Sequence, residues 1–199
     1  MKFTILDFGK KFPDDTACIQ YLFEKRYGNR KCPKCERVSQ YHRQKSGAHF
    51  VCSCGGDQVS PKKGTIFEKS STDLVKWFFA IYLFSQSRNG VAAKELEREL
   101  GVTYKTAWRM AKEIRKLMID ETALLKGTVE ADETYIGGVK KGGKKGRGTT
   151  KSIIFGAAER KGKINASVVP NVRMETLLPK IQDNLAKGTK LLTDEWHAY

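Results

Sequence analysis

Thr128-Val129-Glu130-Ala131-Asp132-Glu133-Thr134-Tyr135-Ile136 lies between Gly127 and the pair Gly137-Gly138, and its β-branched and aromatic content reads as a strand with glycine breaks at both ends. Asp132 falls in the middle of it in an apolar context, where an unpaired carboxylate is costly and calls for a partner or a metal. Working outward, residues 152–158 and 164–169 read as two more strands, 174–186 as a helix and 190–193 as a fourth strand that delivers Asp194. The order is strand, strand, strand, helix, strand. If the first and last of these strands lie side by side in parallel, Asp132 and Asp194 come close enough to hold divalent cations. Two cations about 4 Å apart activate an attacking oxygen and stabilise the leaving one in phosphodiester chemistry. Alone the two aspartates are a weak signal, since each also suits a cap or a turn. Glu130, Glu133 and Glu195 flank them, as outer partners or as exposed acids.

Between the first two strands, residues 137–151 are rich in glycine and lysine and carry no acid. Such a stretch cannot pack a core and is expected to be a loop, either a solvated hairpin connection or a phosphate contact.

The N-terminal part carries a different chemistry. Cys32-Pro33-Lys34-Cys35 and Cys52-Ser53-Cys54 form two cysteine pairs, each suited to a knuckle turn, and four thiolates can surround Zn2+ tetrahedrally. The second pair is one residue tighter than the usual spacing. With four thiolates the tetrahedron is full, so the zinc is expected to be structural, and His42 and His49 are not needed as ligands. Cys18 lies outside this pattern. It shares an apolar face with Phe8, Phe12, Ile19, Leu22 and Phe23, read as one short amphipathic helix with Pro13-Asp14-Asp15 near its start, and is expected in the core.

Ser71-Thr72-Asp73 is placed to cap a buried helix over residues 74–87. Asn89-Gly90 then breaks the chain. Residues 91–100 and 104–118 have helical apolar spacing and are separated by Gly101-Val102-Thr103, the length and turn of a helix-turn-helix. In that module the second helix enters the major groove, so Thr103, Lys105, Thr106 and Arg109 are candidates for base or phosphate contact. Ala107, Trp108, Met110 and Ala111 are expected on the packing side.

Composition agrees with a polyanion as partner. The 199 residues carry a net charge of +15, and basic residues predominate on both sides of Gly127. Residues 1–11 contain no signal-like apolar stretch, and the longest apolar run, 74–84, is interrupted by Lys76 and too short to span a bilayer. A cytoplasmic protein without membrane partners is expected, and in that compartment five cysteines point to metal or packing before disulfides.

Taken together, Cys32-Pro33-Lys34-Cys35, the later cysteine pair, Gly64-Thr65-Ile66-Phe67, the helix of Trp77, Lys105-Thr106-Ala107-Trp108-Arg109-Met110, Glu130 through Gly138 and Thr193 through Tyr199 resemble the ISXO-like bacterial insertion-sequence transposases of the DDE class. The resemblance runs from about Phe8 to the last residue. It implies an α+β multi-domain protein: an N-terminal helix and zinc ribbon in 1–70, a helical region with a helix-turn-helix in 71–126, and a partial RNase H-like α/β catalytic domain in 127–199. It implies double-stranded DNA, both transposon ends and target, as partner, a homo-oligomer in the synaptic complex, and Mg2+ held by Asp132 and Asp194 as catalytic residues. In that family the third catalytic residue comes from a later helix, so the chain is expected to be an incomplete fragment that binds DNA but cleaves it poorly. A catalytically inactive DNA-binding remnant or regulator is the alternative.

Overall fold

The computed structural model describes residues 3–38, 40–44, 49–119, 124–138 and 151–194. The chain folds as two compact units, Met1–Ile119 and Asp120–Tyr199. Among the described residues there are six helices and two sheets.

In the first unit the single amphipathic helix expected around Phe8 and Phe23 is two helices, α1 (Ile5–Lys11) and α2 (Asp15–Tyr27). Pro13 is the cause, because its ring disfavours helical geometry in the residue before it, and Phe12 sits at φ −130°, ψ 61°. Asp14 then restarts the helix by accepting from the Ala17 N–H at 2.8 Å. The apolar face survives the break: Phe12 meets Phe8 at 5.4 Å and Phe78 at 4.9 Å between ring centroids.

Phe78 belongs to α3 (Leu74–Gln86), whose Leu74, Trp77, Ala80 and Phe84 are also buried. Asp73 occupies its N-cap position without a capping hydrogen bond; Asp15 of α2 accepts from the Val75 N–H at 3.0 Å instead. Helix α4 (Ala93–Leu100) turns into α5 (Tyr104–Leu117) through Gly101, whose φ of +58° is cheap only for a residue without Cβ. Thr103 caps α5, its hydroxyl accepting from the Thr106 N–H at 3.4 Å.

A three-stranded antiparallel sheet, β1 (Tyr41–Arg43), β2 (Phe50–Cys52) and β3 (Gln58–Val59), completes this unit. Phe50 stacks on Phe23 of α2 at 4.0 Å and 9°. The core is therefore continuous from the ribbon sheet through Phe23, Phe67 and Trp77 to Leu96 and Met110.

The second unit holds β4 (Thr128–Ile136), β5 (Ser152–Glu159), β6 (Ile164–Val169), α6 (Met174–Asn184) and β7 (Lys190–Leu192) in the sheet order β6-β5-β4-β7. β5 runs antiparallel to both neighbours, and the crossover through α6 returns β7 parallel to β4. α6 covers one face, burying Leu177 and Ile181 with Val129, Ala131, Phe155, Ala157 and Val169. It stops before the expected residue 186 because Leu125 takes the chain into a bridge: the Leu125 N–H donates to Asn184 O at 2.8 Å and the Ala186 N–H to Leu125 O at 2.9 Å.

Among the described residues no helix is long and apolar enough to cross a membrane. The expected loop over 139–150, together with Glu195 and the rest of 195–199, lies outside the described residues.

Candidate metal centres and nucleic-acid interface

The four cysteines converge. Two tight turns carry them: the Glu36 N–H donates to Cys32 O at 2.8 Å in the first, and the Gly55 N–H to Cys52 O at 2.8 Å in the second. The short Cys52-Ser53-Cys54 spacing works because glycines follow it. Gly55 takes φ +68°, and a Cβ on Gly56 would lie 2.4 Å from the Lys34 side chain of the opposite turn. The Gly56 N–H also donates to Cys54 Sγ at 3.3 Å.

All four sulfurs lie within 4.8 Å of one another, with Cys32–Cys54 at 3.5 Å, Cys35–Cys52 at 3.6 Å and Cys52–Cys54 at 3.5 Å. A disulfide needs about 2.05 Å. A zinc tetrathiolate with bonds of about 2.3 Å has sulfur–sulfur edges of about 3.8 Å. The donor set and spacing therefore fit zinc, with no vacancy for substrate.

Protonation gives the same account. Burial opposes ionisation of Cys32, but the N–H groups of Cys35 and Lys34 and the thiols of Cys54 and Cys52 bring it down to about 7. Cys52 receives help from the Cys54 N–H, yet burial and its thiol neighbours push it up to about 12. One thiolate forms easily beside three thiols, and several need a cation among them. Cys18 is fully buried elsewhere, its thiol raised to about 12 by burial first and then by Asp15 and Asp14, in keeping with a core residue. His42 and His49 are exposed and outside the sulfur cluster.

A polar clasp that sequence reading missed orders the ribbon. Asp57 accepts from Arg30 Nε at 2.7 Å and from the Tyr41 hydroxyl, while its backbone oxygen accepts from the Cys52 N–H at 2.9 Å. Arg30 above all, then Tyr41, holds the Asp57 carboxyl below the usual carboxylate range.

On α5, Thr103, Lys105 and Arg109 are exposed and Thr106 is half-buried. Arg109 is already engaged, donating to Ser70 Oγ at 3.1 Å with its guanidinium 5.8 Å from the Trp77 ring. Ala107, Met110 and Ala111 pack as expected. Trp108 does not: it is 51% exposed, which corrects the expectation that it joins the packing side. The Lys112 ammonium lies 5.3 Å from its ring, and Lys94 lies 5.0 Å from the ring of Tyr104.

In the second unit, Asp132 is exposed, so the expected apolar surroundings are corrected. Along β4, Val129 and Ala131 face α6, while Glu130, Asp132, Thr134 and Ile136 face the other way. Asp132 Oδ1 accepts from the Glu133 N–H at 2.8 Å, and Glu130 pairs with Arg160 at 2.7 Å. The acidic face borders an open depression of about 410 Å³ beside Gly156 and Ala166, floored by small residues. The parallel register pairs Thr128 with Lys190 and Glu130 with Leu192. The same offset carried on by two residues aligns Asp132 with Asp194, which follows β7 and is also exposed. Both are exposed, and carboxylates are donors suited to a hard divalent cation such as magnesium.

Residues 124–199 match the ISXO2-like transposase domain. An uncharacterized protein in transposable element ISH50 of Halobacterium salinarum is 30% identical over 141 residues, 69% of this chain and 46% of that protein. The chain thus spans about half the length of the curated relative it matches. No solved structure matches it.

Proposed function

We propose, from the match of residues 124–199 to the ISXO2-like transposase domain, that the chain works as an insertion-sequence transposase that binds element ends and cuts and joins DNA strands. The three regions 1–70, 71–126 and 127–199 divide the labour. The first is a zinc ribbon whose metal fixes the fold, the second a helix-turn-helix that holds duplex DNA, and the third an RNase H-like catalytic domain of the DDE class.

Asp132 and Asp194 are the residues that would hold magnesium. Magnesium, when bound, supplies positive charge where negative charge develops on the phosphodiester. What the chain's own residues do is presentation: β4 and β7 fix the two carboxylates on a rigid sheet, and Gly156 and Ala166 leave room beside Asp132 for a DNA strand. Thr103, Lys105, Thr106 and Arg109 hold the duplex from α5. A cytoplasmic protein acting as a homo-oligomer on paired ends completes the reading.

The observation that carries it is the parallel pairing of β4 with β7, whose register leads to Asp132 and Asp194 inside the family-matched segment. The test is magnesium-dependent strand cleavage of duplex DNA bearing the sequences that bound the element, by the full gene product and its Asp132→Ala form. Cleavage by the first and not the second is expected. Equal cleavage by both would remove Asp132 from the site. End-selective binding with no cleavage by either would make the protein a DNA-binding regulator competing for element ends.

A further inference from the structure

Helix α5 has a complete inner stripe without Trp108: Ala107, Met110, Ala111 and Ile114 are all buried. The opposite side recurs at helical spacing through residues 104, 105, 108, 109, 112, 115 and 116, and all of these are exposed. That side carries Lys105, Arg109, Lys112, Arg115 and Lys116 and no carboxylate. Glu113 lies off it, half-buried, bound to Lys116 at 2.8 Å. Two aromatic rings interrupt the bases, Tyr104 at 44% and Trp108 at 51% exposure.

An indole half in water forgoes the gain that burial gives, and a core already filled has no use for it there. Basic side chains around it fit a polyanion, and Trp108 lies in the N-terminal half of α5, the half that faces base edges in a helix-turn-helix. In the major groove the apolar group offered by base edges is the thymine C5 methyl.

We infer that Trp108 is a base-reading residue, packing its indole against thymine methyl groups in the major groove while Lys105 and Lys112 meet the flanking phosphates. The inference rests on the reading of α4 and α5 as a helix-turn-helix. On approach to DNA the Lys112 ammonium moves off the ring to a phosphate, freeing the face it now covers.

The preferred duplex is first selected from a random pool with the native chain. It is then remade with deoxyuridine replacing thymidine one position at a time, which removes only the methyl. In the native chain one or two replacements should weaken binding about fourfold, the worth of one methyl leaving an apolar contact. Trp108→Ala should bind the selected duplex about tenfold more weakly, comparable to one mismatched base pair. It should bind random duplex within about twofold of native, since phosphate contacts persist, and should be indifferent to deoxyuridine. Trp108→Phe should keep part of the uridine effect. Thermal melting and zinc content matching the native chain exclude a folding defect. An unchanged uridine penalty in Trp108→Ala overturns the inference, as does loss of self-association with DNA selectivity intact, which would make the ridge a protein contact. Failure of the native chain to bind any duplex, random or selected, would instead sink the helix-turn-helix reading and this inference with it.

Discussion

The sulfur cluster and the acidic face bring side chains of like charge towards one another by opposite means. In the ribbon, each pair of cysteines is placed by its own turn, and Gly55 and Gly56 let the turns close on each other. In the second unit, Asp132 lies two residues and Asp194 two residues past the last paired positions, Glu130 and Leu192, so only a crossover helix and the register of two parallel strands lead to them. The ribbon sulfurs pack at 3.5 to 3.6 Å and are partly buried, so repelling thiolates are intolerable without a cation. The aspartates are exposed, where water and ions screen them. In the proposed function zinc would therefore be part of the fold, while magnesium would be a passenger on a sheet already held by its core.

Zinc removal probes that contrast most strongly. Structural zinc in zinc-finger peptides is worth about 10–16 kcal/mol of apparent binding at neutral pH. A chelator, or Cys52→Ser, should melt β1 to β3 and loosen the Phe50–Phe23 stack, seen as loss of amide protection in the first unit. Protection in β4, β5 and β6 should persist. If the first unit keeps its protection without metal, the aromatic core alone holds the ribbon and the contrast collapses.

Leu177→Ala attacks the support beneath the acidic face. Leu177 is fully buried under the sheet, and such truncations cost about 2–5 kcal/mol. The lower melting transition should belong to the second unit, with zinc content unchanged. A smaller effect comes from Tyr41→Phe, which removes one donor to the Asp57 carboxylate while Arg30 stays. About 1–2 kcal/mol is expected, because a hydrogen bond to a charged group is lost but Asp57 keeps a partner. The loss should appear in the ribbon's melting and in faster zinc exchange; an unchanged exchange rate would show that the clasp plays no part in closing the second turn.

The same contrast accounts for what was legible in the sequence. The cysteine cluster was, since spacing along the chain sets its geometry. The elements of the second unit were too, β4 and β6 to the residue, because period-two alternation and glycine breaks are local signals. Exposure was read less well. Trp108 borrows an apolar reading from its neighbour Ala107, although the 107, 110, 111, 114 spacing already completes a buried stripe that excludes it. The apolar neighbours of Asp132 suggest apolar surroundings, yet Val129 and Ala131 alternate with it and mark it as facing away. The Arg30–Asp57–Tyr41 clasp and the early end of α6 at Leu125 depend on partners 16 to 60 residues distant, and no local pattern announces them.

The smallest effect on stability should come from Asp132→Asn, and that smallness is informative. Asn keeps an Oδ1 to accept from the Glu133 N–H, and the side chain is exposed, so without divalent cations the change should fall within about 0.5 kcal/mol. Magnesium should separate the two proteins. A ligand at ten times its dissociation constant stabilises the form it binds by about 1.4 kcal/mol, so the second unit of the native chain should melt higher with magnesium and the Asn form should not. Calcium should act similarly but with a different midpoint, since it accepts more oxygens at longer distances. A marked loss of stability in Asp132→Asn without metal would mean that the carboxylate is a structural group, and the acidic face would then resemble the ribbon after all. Equal magnesium responses in both proteins would place the cation elsewhere, leaving the register of β4 and β7 as geometry without a ligand.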